Sequence, residues 1–175
     1  ASLSDVGNDK LAIPGAVMPP YFEGRFADGP VWHEIMAERL GLPPASVPSL
    51  LGGNNYAFGG AEMGPGTAEL IMVPNLGTQI DMHLVKQAQL GQLPLPADTL
   101  YIVSSGGGNN LIPPGLPQEP EVIVGHIEDH VTTLAEAGAR HFLVTNFFDI
   151  EKAPFIVPLF VDPSWLPPGV QTQEE

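Results

Sequence analysis

The chain contains no cysteine, which excludes a disulfide framework and a thiolate zinc site. Any covalent nucleophile must therefore be a serine or threonine hydroxyl. Basic residues are scarce: 6 Lys and Arg stand against 20 Asp and Glu, a formal net charge of −14. A field of that sign repels phosphate backbones and anionic lipid, which argues against nucleic acid and membrane surfaces as partners. No apolar run reaches the roughly 18 to 20 residues that a membrane helix needs, and no signal peptide is visible. Position 1 is Ala rather than Met, and the reading here is that the true N-terminus precedes it.

What is present suits one globular core. The chain has 175 residues, 43% of them hydrophobic and 15% charged, enough for a single domain. Its 20 Gly and 20 Pro show no period, so they mark loops between apolar segments, as at 42–48 and 112–120. Helical spacing predicts a helix over 29–40 through Val31, Ile35, Met36 and Leu40, stopped by Gly41. A second is expected over 78–89 with Ile80, Leu84, Val85 and Ala88 on one face. A third is expected over 121–137 with Val124, Ile127, Val131, Leu134 and Ala135 facing inward, ended by Gly138. The compact apolar runs 99–104 and 141–145 read as buried parallel strands, and 54–60 as a short buried strand meeting a tight turn. Strand, helix and strand in that order imply a parallel sheet with helices on both faces. Chemistry in such sheets collects at the carboxyl ends of strands, which directs attention to residues 104–110.

Four stretches in order carry a resemblance. Ala1-Ser2-Leu3-Ser4-Asp5-Val6-Gly7-Asn8 opens the chain. Gly24-Arg25-Phe26-Ala27-Asp28-Gly29-Pro30-Val31-Trp32 follows, then Asn55-Tyr56-Ala57-Phe58-Gly59-Gly60-Ala61, then Gly107-Gly108-Asn109-Asn110-Leu111. Together they resemble the SGNH (GDSL) serine esterase/lipase family, with 1–8, 55–61 and 107–111 as its first, second and third blocks and 24–32 as a further family segment. The likeness continues through 137–141 and 144–149. It implies a three-layer α/β/α sandwich with a parallel sheet, flavodoxin-like and incomplete in this chain. Residues 1–162 would form a partial hydrolase domain, and 163–175 a Pro-rich tail without fixed structure. It also implies that Ser2 is the catalytic nucleophile and that its backbone N–H is the first oxyanion donor. Gly59, ahead of Gly60, supplies the second donor and the Asn109 side-chain amide the third. Two backbone amides and one neutral side-chain amide stabilise an oxyanion without carrying charge themselves.

The chain departs from the family pattern in four places. Ala1 stands where Asp usually precedes the nucleophile, and Asn110 replaces the Asp of the third block. The family's first strand, and the Asp-x-x-His that supplies its acid and base, do not occur in this sequence. In Asp162-Pro163-Ser164-Trp165 an indole stands in the histidine position, and an indole N–H cannot accept the serine proton. Of the five histidines, His33, His83, His126 and His130 read as helix surface or interface residues and His141 as structural. His126 and His130 are spaced i, i+4 without an evident third ligand, so no metal and no cofactor is expected. The expectation is an ester hydrolase acting on a small-molecule, lipid or carbohydrate ester, whose 175-residue piece is itself inactive for want of a base. The low lysine and high acid content point to a secreted or envelope-exported protein. Two other readings compete: a non-catalytic ligand-binding or scaffold domain that keeps the fold, and an anion-binding domain using the Gly-rich turn at 104–109.

Overall fold

The computed structural model describes residues 4–15, 17–18, 20–42, 47–68, 72–104, 110 and 118–146. Its elements are α1 (Asn8–Ala12), α2 (Trp32–Arg39), a 3₁₀ turn (Ser49–Leu51), α3 (Leu76–Gln89), β1 (Leu100–Val103), α4 (Pro120–Glu136) and β2 (His141–Val144). β1 and β2 pair in parallel, with Leu100 opposite His141 and Val103 opposite Val144, and α4 lies between them in sequence. The expected strands and the parallel sheet are thus present, as an α/β arrangement of two strands with helices. The short strand expected at 54–60 is not formed. That stretch is irregular apart from an isolated bridge between Pro48 and Asn55, because its polar groups are taken up by side chains instead.

One core ties the strand and helix layers together. Ile80 of α3, Val103 of β1 and Leu134 of α4 pack with Leu95 and Ala139, and Leu76, Leu84, Tyr101, Val131 and Phe142 close around them. The helix faces differ from those the periodicity suggests. In α4, Val124 is exposed, and the buried positions are His130 and Leu134. In α3, Val85 is exposed and Gln79 is buried beside Ile80. In α2, Ile35 is exposed, as is Leu40 just after the helix, while His33 and Ala37 are buried. The physical reason is shared: each helix buries a polar side chain that has a backbone partner, which rotates the inward face off the apolar stripe.

Two local devices set the helix ends. Pro120 sits in the first turn of α4, where its missing N–H costs nothing. Gly138 ends the helix at φ +122°, and a Cβ there would lie 2.7 Å from the Leu95 nitrogen. The close approach lets Leu95 N–H donate to Ala137 O at 2.7 Å, seating the loop before β1 against the end of α4. No helix among the described residues is long and apolar enough to cross a membrane.

Candidate active site

The carboxyl end of β1 is the meeting point of the first and second sequence blocks. Ser104, immediately after β1, accepts a hydrogen bond from Ser4 Oγ at 2.9 Å, so the chain two residues beyond Ser2 touches the strand end. Trp32 Nε1 donates to Ser4 Oγ at 3.3 Å. The Ser4 carbonyl accepts from Asn55 Nδ2 at 2.9 Å and pairs with His33 Nε2 at 3.0 Å. His33, expected at a helix surface or interface, is buried against the Ser4 carbonyl.

The acidic and amide residues of the first block act on its own backbone. Asp5 is fully buried; its Oδ1 accepts from the N–H groups of Gly7 at 3.1 Å and Asn8 at 2.8 Å, and its Oδ2 from Asp9 N–H at 3.3 Å. It thereby satisfies the orphan donors at the start of α1. Asn8, also fully buried, donates to the carbonyls of Asn55 and Ala57, both at 2.9 Å, and accepts from Ser49 Oγ and Leu50 N–H, both at 3.2 Å. One side chain thus stitches the first block to the second with all four of its hydrogen-bonding positions used. The segment at 24–34 is held by a fork–fork pair: Arg25 Nε and Nη2 reach the two oxygens of Glu34 at 3.1 and 2.6 Å, and Glu34 also caps Val31 N–H at 2.8 Å. The carboxylate holds the Arg25 pKa above its ordinary value.

Gly59 is buried, and its lack of a side chain is a packing requirement: a Cβ would stand 2.5 Å from Asp9 Oδ2 and 2.7 Å from the Phe26 ring. Asp9 is 2% exposed, and its Oδ1 has no partner. Burial, then the neighbouring Asp5 charge, push its pKa up to about 7, against the opposing pull of the Gly59 backbone. Asp5 is raised also, again by burial, with its backbone hydrogen bonds working the other way.

Asn110 joins the second and third blocks. Its Oδ1 accepts from Met63 N–H at 2.9 Å and its Nδ2 donates to Gln118 Oε1 at 2.9 Å. An amide rather than a carboxylate suits this site, because one end meets a donor and the other an acceptor. The Met63 carbonyl is in turn held by His130 Nε2 at 2.6 Å. His130 therefore takes the interface placement of the two expected for it, as an interior strut, and the His126 ring stacks parallel to it at 6.3 Å. Among the described residues no group of three or more His, Cys, Asp or Glu is placed to hold a metal ion.

Of the residues assigned by resemblance, Ser2 and Asn109 lie outside the described residues, as do Gly107 and Gly108, while Gly59 is placed as above. The described neighbours Ser4 and Asn110 converge with the 55–63 loop, which the hydrogen bonds through Asn8, Asn55 and Met63 enforce. Sequence reasoning missed Ser4, Asp5, Asn8 and Asp9 as a buried polar cluster. The available signal was the density of short polar side chains in a segment that also carries Gly7, which sits at φ +126°.

A parallel β–α–β unit with polar loops gathered at a strand's carboxyl end defines an α/β protein with its site in the position such sheets favour. No family model matches the chain. It is 30% identical over 156 residues to the thermolabile hemolysin of Vibrio parahaemolyticus, an alignment covering 87% of this chain and 33% of the hemolysin. Over 66 residues it is 41% identical to a GDSL esterase/lipase of Arabidopsis thaliana, covering 33% of this chain and 18% of that protein. The chain thus spans about a third of the length of the hemolysin. These similarities support a relationship to GDSL-type esterases and lipases.

Proposed function

We propose that the chain carries the serine nucleophile and oxyanion donors of an ester hydrolase. Ser2 attacks an acyl carbonyl, and the Ser2 and Gly59 backbone N–H groups with the Asn109 side chain receive the oxyanion. The observation that carries the reading is a run of hydrogen bonds that ties the first block to Ser104, just after β1, and to the 55–63 loop, and ties that loop to Asn110. Ser4 on Ser104, Asn8 on Ala57 and Asn110 on Met63 bring the flanks of all three assigned groups together. The name of the Arabidopsis relative, a GDSL esterase/lipase, is consistent with ester chemistry. On this reading residues 1–162 form part of a three-layer α/β/α sandwich, and the protein is secreted or exported to the cell envelope.

The base for Ser2 is not assigned to any histidine of this sequence. His33 and His130 are committed to backbone carbonyls, and burial with the nearby Lys86 charge holds the His83 pKa below its ordinary value. The test is acylation with chemical rescue. Incubated with p-nitrophenyl butyrate, the chain alone should turn over little, and added imidazole should accelerate butyrylation of Ser2, located by peptide mass spectrometry. Ser2→Ala should abolish the labelled peptide. A label that survives this substitution, or that scatters over other serines, would overturn the assignment and favour a non-catalytic binding domain on the same fold.

A further inference from the structure

The Gly59 amide that would receive the oxyanion already has a partner. Its N–H is hydrogen-bonded to the Asp9 carboxylate and favours the charged form. Asp9 Oδ1 has no partner, and Oδ2 lies 2.5 Å from where a Gly59 Cβ would stand, so the contact is through Oδ2. A backbone amide carries a single hydrogen and cannot serve a carboxylate and an oxyanion together at full strength. The pair is shut away from water: Asp9 is 2% exposed and Gly59 is buried. In such a setting a bond to a charged acceptor is roughly twice as strong as one to a neutral acceptor. The peptide plane that carries the N–H turns about the Gly59 φ, which no Cβ restricts. Gly60 beside it sits at φ +76°, and the bond that closes the turn, from Ala61 N–H to Phe58 O, is long at 3.4 Å.

We propose that Asp9 competes with the oxyanion for the Gly59 N–H: as a carboxylate it withholds the amide from an acyl group on Ser2, and as the neutral acid it releases it. The proposal rests on the reading of Ser2 as nucleophile and Gly59 as donor. Asp9 is a positioning residue, because it acts through Gly59. Burial, then the Asp5 charge, raise its pKa to about 7, while the amino terminus of the chain lowers it. Arg25, on the segment at 24–34, acts on Asp5, and Phe26, which packs at the Gly59 contact, is uncharged. Lys10, next to Asp9 in sequence, is exposed, and the turn at 58–61 has no titratable side chain. The Gly59 amide is therefore released below about pH 7 and withheld above it.

The test follows the Gly59 amide and the acylation of Ser2 in the same 175-residue chain. By nuclear magnetic resonance the Gly59 amide proton should shift with a midpoint of about pH 7, and Asp9→Asn, which mimics the neutral acid, should abolish that step. Butyrylation of Ser2 by p-nitrophenyl butyrate with added imidazole is then compared between Asp9→Asn and the parent across the same pH range. Taking the ratio of the two rates cancels the titration of imidazole itself. The ratio should be near 1 at pH 5 and rise to about tenfold at pH 8, because a group one unit above its pKa is about ten parts ionised to one. The shift should be confined to Gly59 and its neighbours; a step shared by all amides would mean loss of the fold and would overturn the proposal. A labelled Ser2 with a level ratio would also overturn it, leave the nucleophile standing and assign the donor to another amide. Absence of the Ser2 label from both proteins at every pH would overturn the nucleophile reading and this proposal with it.

Discussion

Asp9 shows how one buried group couples the segment at 5–9 to pH. Its carboxyl is 2% exposed and lies against Gly59, with one oxygen unpartnered. Because burial and Asp5 raise its pKa from 3.8 to about 7, the folded chain holds a proton that the unfolded chain releases between those values. Stability therefore falls as pH rises through that window and levels off above it. Asp9→Asn removes the ionisation while keeping size and an acceptor. It should be more stable than the parent at pH 8, by an amount on the order of 3 kcal/mol, with the difference vanishing near pH 4. Urea unfolding at both values checks this, and an equal difference at pH 4 and pH 8 would contradict it. Neither the burial nor the shift was legible in the sequence, where Asp9 reads as one more acid in a polar loop. Charge density along a chain does not say which carboxylate is enclosed.

Element by element, type was easier to read than orientation. The helices at 78–89 and 121–137 and the strands at 99–104 and 141–145 follow from apolar spacing, and the structure places them within a residue or two. Their buried faces do not follow, because periodicity counts apolar residues and cannot see that His130 has the Met63 carbonyl within reach or that Gln79 donates to the Pro74 carbonyl at 2.8 Å. Val124 and Val85 were displaced to the surface by these polar anchors. Gly138 was read correctly as a helix stop, and the structure adds a second demand on it. With φ at +122° and the Leu95 backbone within 2.7 Å of any Cβ, Gly138→Ala combines a left-handed strain with a backbone clash. The expected cost is roughly 2 to 4 kcal/mol, seen as a lower urea midpoint with unchanged slope; a midpoint within experimental error of the parent would contradict the packing described.

For the molecule as a whole, the excess of acid is a property that acts at a distance. A net charge of −14 opposes compaction by self-repulsion. Salt shortens the Debye length from about 30 Å at 0.01 M to about 3 Å at 1 M. The melting temperature should rise by about 2 to 8 °C between 0.01 and 0.5 M sodium chloride, equivalent to roughly 1 to 2 kcal/mol for a chain of this size. A melting temperature that falls with salt would mean that favourable ion pairs such as Arg25–Glu34 outweigh the repulsion.

The sequence by itself determined the α/β alternation, the parallel pairing, and the order of the blocks that carry the resemblance to GDSL esterases, because these depend on local spacing and on strings of residues. Only the tertiary structure decided that Asn8, Asn55 and Asn110 are the ties between those blocks, and that His33 and His130 are interior supports. Each of these depends on which backbone groups, separated by tens of residues along the chain, arrive within 3 Å of a side chain. That distance is set by the packing of the helices on the strands, and no residue's own neighbours in sequence encode it.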